Sequence, residues 1–364
     1  MPLPDSIADI ETLLQPIAED NPVGKDIRED NSPTSIYGKI KDARNAARAA
    51  ERHSVFDTGG NSEADSSWRK VLDLAPEILE SNCKDLEVAA WYTEALVRKY
   101  EFSGLRYGFT LMRELVERFW EAGIYPSPDE DGNRIRVLAV HGLNEGSVLV
   151  TPIRNIRFTD DAEPHAFTFW HYNQALDVQK APDDQTRQAK ISKLGFSPET
   201  IETAVNNSEN DLYINMHEDL LVCLSEYKRL GQMLDEYCGR DDAPSIGNII
   251  ETLQECLGVI NHLAKNKLPQ PEEPSEDDDA VAADGTPAPK KAGGPIKTRE
   301  DAFRNLLEIS NFFRKNEPHS PISYALERIV RWGDMPLHDL MRELIPDDTS
   351  RNFYGNLTGV RGNE

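Results

Sequence analysis

The chain has 364 residues and a formal net charge of −24, so it is too long for one typical core and predicts two or three domains. The acidity argues against a nucleic-acid binder, because no basic excess is present to displace phosphate counterions. It also argues against an anionic membrane surface as a direct partner. The charge can serve solubility at high local concentration or docking onto a basic partner.

Residues 1–160 predict a helical domain. Its core is the stretch from Trp68 to Leu143, where apolar residues recur at helical spacing and three of the five tryptophans occur. The predicted elements, in chain order, are an amphipathic helix in 1–20, a polar helix at 34–52, a loop at 53–66, core helices at 68–79, 86–97 and 111–120, and a short helix at 134–144.

One stretch, 147–158, predicts extended backbone. β-Branched residues dominate it, but Pro152 interrupts it. Proline cannot donate to a strand ladder, so we expect an edge strand or an extended arm at this point.

Residues 161–266 predict a second helical domain. Ser197 and Pro198 are typical of a helix N-cap and first position. Two long apolar stripes follow, at 220–237 and 249–263, with Gly239 after the first. They predict an antiparallel hairpin. Whether it packs on its own chain or on another copy stays open here.

The rest of the chain changes character twice. Residues 267–297 are rich in proline, alanine and acid and contain no aromatic residue, which predicts a disordered linker. Residues 298–364 predict three short helices, the third at 336–345. They carry more large apolar side chains than so small a domain can hide, which indicates self-association.

No motif in the chain predicts catalysis, and we expect no cofactor and no metal site. The four cysteines, Cys83, Cys223, Cys238 and Cys256, lack metal-ligand spacing and lie on helical stripes, which favours buried thiols. No secretory signal and no apolar run of membrane-spanning length occurs, so we expect a cytoplasmic protein without direct membrane insertion.

Several motifs together resemble the ImpA-type N-terminal domain of the TssA family of type VI secretion components. They are Gly24 to Asp30, Trp68-Arg69-Lys70-Val71, Lys84-Asp85-Leu86, Gly104-Leu105, the ending from Trp120 to Tyr125-Pro126, and the acidic stretch before Arg134 and Arg136. The stretches Glu317 to Ile322 and Leu326 to Trp332 are similar to the C-terminal module of short TssA proteins.

The resemblance implies a multi-domain all-α protein that is not an enzyme. It implies a ring built by the C-terminal module, with tethered N-terminal domains organising baseplate and tube/sheath assembly. The implied partners are the protein itself, baseplate proteins, the Hcp tube, the VgrG spike and sheath proteins, with the membrane complex as a further candidate. The alternative is a monomeric or dimeric helical adaptor that binds peptides or partner helices without forming a ring.

Two sets of residues are candidates for these contacts. The set assigned to oligomerisation is Phe303, Leu307, Phe312, Tyr324, Arg328, Trp332, Leu337, Leu340 and Met341. The set assigned to partner docking is the local basic cluster Arg134, Arg136, Arg154 and Arg157. For the second set, helix-end and salt-bridge roles are the alternative.

Overall fold

A computed structural model describes most of the chain, namely residues 7–54, 62–130, 132–160, 166–239, 242–269, 299–316, 321–333, 335, 340 and 343–344. The predicted linker lies almost entirely outside these residues. The chain divides into two compact units, residues 1–274 and 275–364. The predicted separation of the first unit at residue 160 stays a prediction.

The described residues are helical, with only isolated β-bridges between them, which confirms the all-α class. The helices of the first unit are α1 (Ile10–Leu13), α2 (Ile36–Ser54), α3 (Ser62–Ser81), α4 (Leu86–Phe119), α5 (Arg134–Leu143), α6 (Thr151–Arg154), α7 (Phe169–Gln179), α8 (Asp184–Leu194), α9 (Pro198–Asn207), α10 (Asn210–Cys238) and α11 (Gly247–Leu263). The second unit contains α12 (Arg299–Asn316) and α13 (Ile322–Gly333). None of these helices is long and apolar enough to cross a membrane.

Helix α4 is the centre of the first unit, and it packs against α3, α5 and α10. Asp85 begins it, accepting hydrogen bonds from the backbone N–H groups of Glu87 and Val88. Such a cap satisfies donors that the first turn leaves unpaired. Neighbouring helices cover α4 on several sides. Its sequence is therefore apolar around most of the helix and has no long polar face.

The two core segments predicted at 86–97 and 111–120 are parts of this one helix, which is kinked between them. Glu101 lies at the kink with φ 55° and ψ −135°, a conformation that side-chain-bearing residues rarely adopt. Gly104 packs on the part of the helix before the kink, where a Cβ would lie 2.3 Å from the carbonyl oxygen of Leu96. Glycine is therefore a contact point here and does not end the helix.

The extended stretch predicted at 147–158 is wrong. A π-helical turn, Gly146–Val150, runs directly into α6. Pro152 lies in the first turn of α6, where the missing N–H costs nothing. Val148, Leu149 and Ile153 are all buried, so the stretch does not alternate between two faces as a half-buried strand would. The burial of these side chains therefore outweighs the preference of β-branched residues for strands.

Two predicted boundaries near the N-terminus also differ. Where an amphipathic helix is predicted in 1–20, the described residues 7–20 form one four-residue helix, α1, whose Leu13 is buried. Pro16 follows closely, and proline disfavours helical backbone in the residue before it. In the predicted loop at 53–66, residues 62–66 belong to α3, whose first turn carries Glu63 and Asp65 near the positive end of the helix dipole. Residues 55–61 lie outside the described part.

The predicted hairpin is confirmed as α10 and α11, and α10 packs on α4 of the same chain. Tyr227 stacks on Phe109 with ring centroids 4.3 Å apart, and Arg113 pairs with Glu226 at 2.5 Å. The predicted caps are present. Ser197 caps α9, and Gly239 follows α10 with φ 75°.

The second unit is an antiparallel pair of helices in its described residues. Near one end, Gly333 lies against the ring of Phe303, which leaves no space for a Cβ. Further along, the Ser310 hydroxyl donates to the carbonyl oxygen of Ser323 at 2.8 Å. The third helix predicted at 336–345 lies outside the described residues except for 340, 343 and 344.

Candidate functional site

The candidate site is the exposed apolar surface of α12 and α13. Eleven large apolar side chains are exposed in the described part of the protein, and seven of them belong to the second unit. Those seven are Leu307, Ile309, Phe312, Ile322, Tyr324, Ile329 and Leu344. The two side chains that expose most are Phe312 and Tyr324, each 62% accessible. Exposed apolar side chains are thus concentrated in the second unit, and apolar surface left open in this way favours association.

The same helices bury little of their own apolar surface. Among their described side chains, the buried ones are the small polar Ser310 and Ser323, and no apolar side chain reaches the buried class. Helices of this length gain most of their stability from packing an apolar face, and small domains need further support. The described part of this unit is therefore incomplete as an isolated hydrophobic core.

Charged groups border the apolar surface. Arg314 pairs with Glu327 across the two helices at 2.6 Å. Arg328 pairs with Glu343 at 2.7 Å, and its guanidinium lies 5.3 Å from the ring centroid of Trp332. Charged pairs thus lie among the exposed apolar side chains of this unit, a mixture that protein–protein interfaces also have.

The structure brings most of the predicted oligomerisation residues onto this helix pair. Leu307, Phe312 and Tyr324 are exposed on it, and Arg328 and Trp332 form the cation–π contact at its end. Phe303, Trp332 and Leu340 are half-buried. Leu337 and Met341 lie outside the described residues. The role of all nine residues in oligomerisation stays a prediction.

The four arginines predicted for partner docking lie in separate surroundings. Arg134 is exposed at the start of α5. Arg136 is buried, donates to the carbonyl oxygen of Pro126 at 3.3 Å and lies over the ring of Trp120. Arg154 pairs with Glu255 at 2.9 Å, and Arg157 pairs with Glu101 at 3.4 Å. Arg154 and Arg157 thus have the salt-bridge role given above as the alternative, and Arg136 has a different internal role. The docking role of the four stays a prediction.

Sequence reasoning missed a second charged feature, a row of arginines on α2. Arg44, Arg48 and Arg52 follow one another at intervals of four, which places them on one face of the helix. Arg44 and Arg48 share the fully buried carboxylate of Glu94, at 2.6 and 3.7 Å. The spacing alone could have revealed the row, but nothing in the sequence shows which acids neutralise it.

Residue types that could bind a metal ion are not grouped together in the described residues. No three histidine, cysteine, aspartate or glutamate side chains there come together as metal ligands. The four cysteines form no disulfide. Burial raises the pKa of Cys256 and Cys223 well above the usual value for a thiol, and it raises the pKa of Cys238 to about 11. Thiols of this kind are poor nucleophiles.

Comparison with known proteins agrees with the geometry. Residues 14–145 match the family described as ImpA, N-terminal, type VI secretion system. The chain is 24% identical to the type VI secretion system component TssA1 of Pseudomonas aeruginosa PAO1 over 351 residues, covering 94% of this chain and 96% of that protein.

A solved structure is similar over the first unit. It is the N-terminal domain, including the conserved ImpA_N region, of the TssA component of the type VI secretion system from Burkholderia cenocepacia. The match has a TM-score of 0.58 and 25% sequence identity, and it covers 73% of this chain and 99% of that one. The family match, the relative of similar length and the solved structure all concern type VI secretion system components. The chain thus resembles TssA components of type VI secretion systems along most of its length, and its residues 14–145 match the ImpA N-terminal family.

Proposed function

We propose that this protein is a non-catalytic, ring-forming scaffold of the type VI secretion system. Copies associate through the second unit, and the first unit of each copy contacts baseplate, tube and sheath proteins in the cytoplasm while they assemble. The family resemblance suggests Hcp as the tube protein, and it suggests the VgrG spike and the membrane complex as further candidate partners.

One observation carries the proposal, namely the exposed apolar surface on α12 and α13. Its occupant is most simply a second copy of the same surface or of its neighbour, because the described residues of this unit bury no apolar side chain themselves. A ring arises when such a contact is heterologous and the rotation between copies closes.

Assembly would change how the first unit binds. A ring presents several copies of it at once, so contacts that are weak singly add through effective concentration. The length of sequence between the units, which composition predicts to be flexible, sets how far each copy reaches. A symmetric scaffold can then hold several partner subunits while they polymerise.

The test compares two leucines of similar exposure in different units. Leu307 is 41% exposed on α12, and Leu221 is 47% exposed on α10. We expect Leu307→Glu to reduce the light-scattering mass of the full-length chain to that of a small species, because burying a carboxylate in an apolar contact costs several kcal/mol. Leu221→Glu is the matched control and should keep the wild-type mass.

Circular dichroism shows whether both variants keep their helix content. If Leu307→Glu retains helix and also retains the wild-type mass, the surface on α12 and α13 does not build the assembly. If the wild-type chain itself is a monomer or dimer, the helical adaptor becomes the better description.

A further inference from the structure

The first unit contains a cavity that the proposed self-association does not use. It has a volume of about 420 Å³ and lies between α2, α4, the π-helical turn and α6. Arg48, Arg52 and Arg98 line it from α2 and α4, and Ser147, Thr151 and Asn155 line it from the π-helical turn and α6 with its C-cap. Val97 and Ile156 supply apolar wall. The cavity thus combines cationic donors with hydroxyl and amide groups.

Positive charge exceeds negative charge around the arginines. Arg44, Arg48, Arg52 and Arg98 are grouped there with two carboxylates, Glu94 and Glu51, and a third carboxylate of the cavity, that of Glu101, pairs with Arg157. The carboxylates of Glu94 and Glu51 are both paired within the protein. Arg98 binds both oxygens of Glu51, at 2.5 and 3.0 Å, and the indole N–H of Trp68 donates to the same group at 2.7 Å. Glu94 is held by Arg44. Two guanidinium groups, those of Arg48 and Arg52, therefore remain poorly neutralised.

Arg48 is the more buried of these two. Its side chain is 20% exposed, and its nearest carboxylate oxygen, on Glu94, lies at 3.7 Å, beyond hydrogen-bond distance. Burial lowers the pKa of Arg48, and the nearby charges of Arg44, Arg98 and Arg52 lower it further, although Glu94 acts in the opposite direction. An anion entering the cavity would relieve this repulsion.

Arg52 is exposed, and among the described residues no carboxylate lies within ion-pair distance of it. In a chain with a net charge of −24, a group of arginines with spare positive charge is unusual. An exposed guanidinium beside a buried one can offer planar donors to a carboxylate.

Backbone features beside the cavity support a binding role. Glu101, which lines it, holds the positive φ at the kink of α4, and such strain is concentrated at functional sites. Ser147 lies in the π-helical turn, a form that also recurs at functional sites. Arg98 donates to the carbonyl oxygen of Val148 at 3.3 Å, which ties that turn to the arginines.

We infer that this cavity binds a glutamate or aspartate side chain of an acidic segment in a partner protein. The inference rests on the proposed function only in taking the partner to be a protein. Arg48 and Arg52 would bind the carboxylate, and Thr151 would donate to it from α6.

The charge balance favours a carboxylate over a phosphate. Glu51 and Glu101 both line the cavity, so a dianion would meet more repulsion than a group with a single charge. A nucleic acid is also disfavoured, because its many phosphates would face the field of a strongly acidic chain. Apolar wall from Val97 and Ile156 fits the methylene groups of a peptide side chain.

The test uses fluorescein-labelled hexaglutamate and the full-length protein, with fluorescence anisotropy as the readout. Hexaserine with the same label is the uncharged control. We expect Arg52→Glu to weaken hexaglutamate binding at least about tenfold, because a charge reversal replaces attraction with repulsion at the site. Arg229→Glu makes the same charge change at an exposed position of α10 and should leave the affinity unchanged. Thr151→Val, with no change of charge, should weaken binding about threefold through loss of one hydrogen bond.

Three results would overturn the inference. The first is that hexaglutamate fails to bind the wild-type protein at millimolar concentration. The second is that Arg52→Glu and Arg229→Glu weaken hexaglutamate binding equally, and the third is that inorganic phosphate displaces the peptide at equal concentration. The inference and the ring proposal fail separately. Loss of peptide binding in a protein that still assembles removes only the cavity assignment, whereas peptide binding by a monomeric wild type removes only the ring.

Discussion

The buried lysine Lys84 permits a sharp test of the fold. Its side chain is fully buried, and its ammonium donates to the carbonyl oxygens of Leu13 and Leu79 at 2.7 and 2.5 Å. It therefore joins the segment of α1 to the end of α3. Burial lowers the pKa of Lys84 to about 8, against an opposing effect of Cys83 and Glu80.

The expected pH dependence follows from the direction of that shift. Below pH 8 the lysine is charged in both states, and the folded state carries the full cost of burying it. Between pH 8 and its ordinary pKa of 10.5, the unfolded chain binds the proton and the folded protein does not, so this group's contribution to stability rises with pH. At about 1.4 kcal/mol for each tenfold difference in proton affinity, the full rise is about 3 kcal/mol.

The measurement is urea unfolding of wild type and Lys84→Met at pH 7 and pH 9.5. Subtracting the variant removes the background from cysteines and tyrosines, whose raised pKa values act in the opposite direction. Relative to Lys84→Met, wild type should gain about 2 kcal/mol between the two pH values, because most of the folded-state lysine is neutral at pH 9.5. Methionine keeps the length of the side chain but cannot titrate.

A difference that stays constant between pH 7 and pH 9.5 would refute this reasoning. It would mean that the hydrogen bonds to Leu13 and Leu79 hold the charged ammonium as well as water does. A difference that falls as pH rises would mean that the lysine has gained a carboxylate partner, which would place its folded-state pKa above the ordinary value.

Two further predictions concern helix α4. Asp85→Ala should lower the free energy of unfolding by about 3 kcal/mol, because it removes both the helix cap and the buried partner of Arg28 at 2.6 Å; a loss below about 1 kcal/mol in urea unfolding would contradict the role of this cap. Gly104→Ala should also destabilise, by about 1 to 3 kcal/mol, because the new methyl group would meet a backbone carbonyl that cannot move aside. Gly258→Ala is the matched control: open space surrounds this helical glycine, so the change should raise stability by up to about 1 kcal/mol. Equal thermal shifts for the two alanine variants would show that the close contact at the kink does not exist.

Much of the fold could be predicted from the sequence because its signals are local. Ser197 with Pro198 and Gly239 are residues whose own chemistry starts or stops a helix, and each does so where predicted. The stretch at 147–158 was predicted wrongly because strand preference is weak and burial overrides it. Glycine at position 104 gave no sign that it packs inside a kinked helix, since a close tertiary approach has no signature in one sequence.

The candidate sites divide in the same way. The exposure of apolar residues such as Leu307 and Tyr324 could be predicted because a small segment rich in them cannot hide them all. Their role in association stays a prediction. Arg136 could not be recognised as internal, because its place over Trp120 depends on how distant segments meet. The row formed by Arg48 and its neighbours is visible as spacing, but its shortage of carboxylate partners appears only in three dimensions.

The mass of the unmodified full-length chain tests the central claim most directly. We expect multi-angle light scattering after gel filtration to show one discrete species several times heavier than the monomer, with a mass that holds on tenfold dilution. A monomer or dimer at micromolar concentration would contradict the ring-forming scaffold.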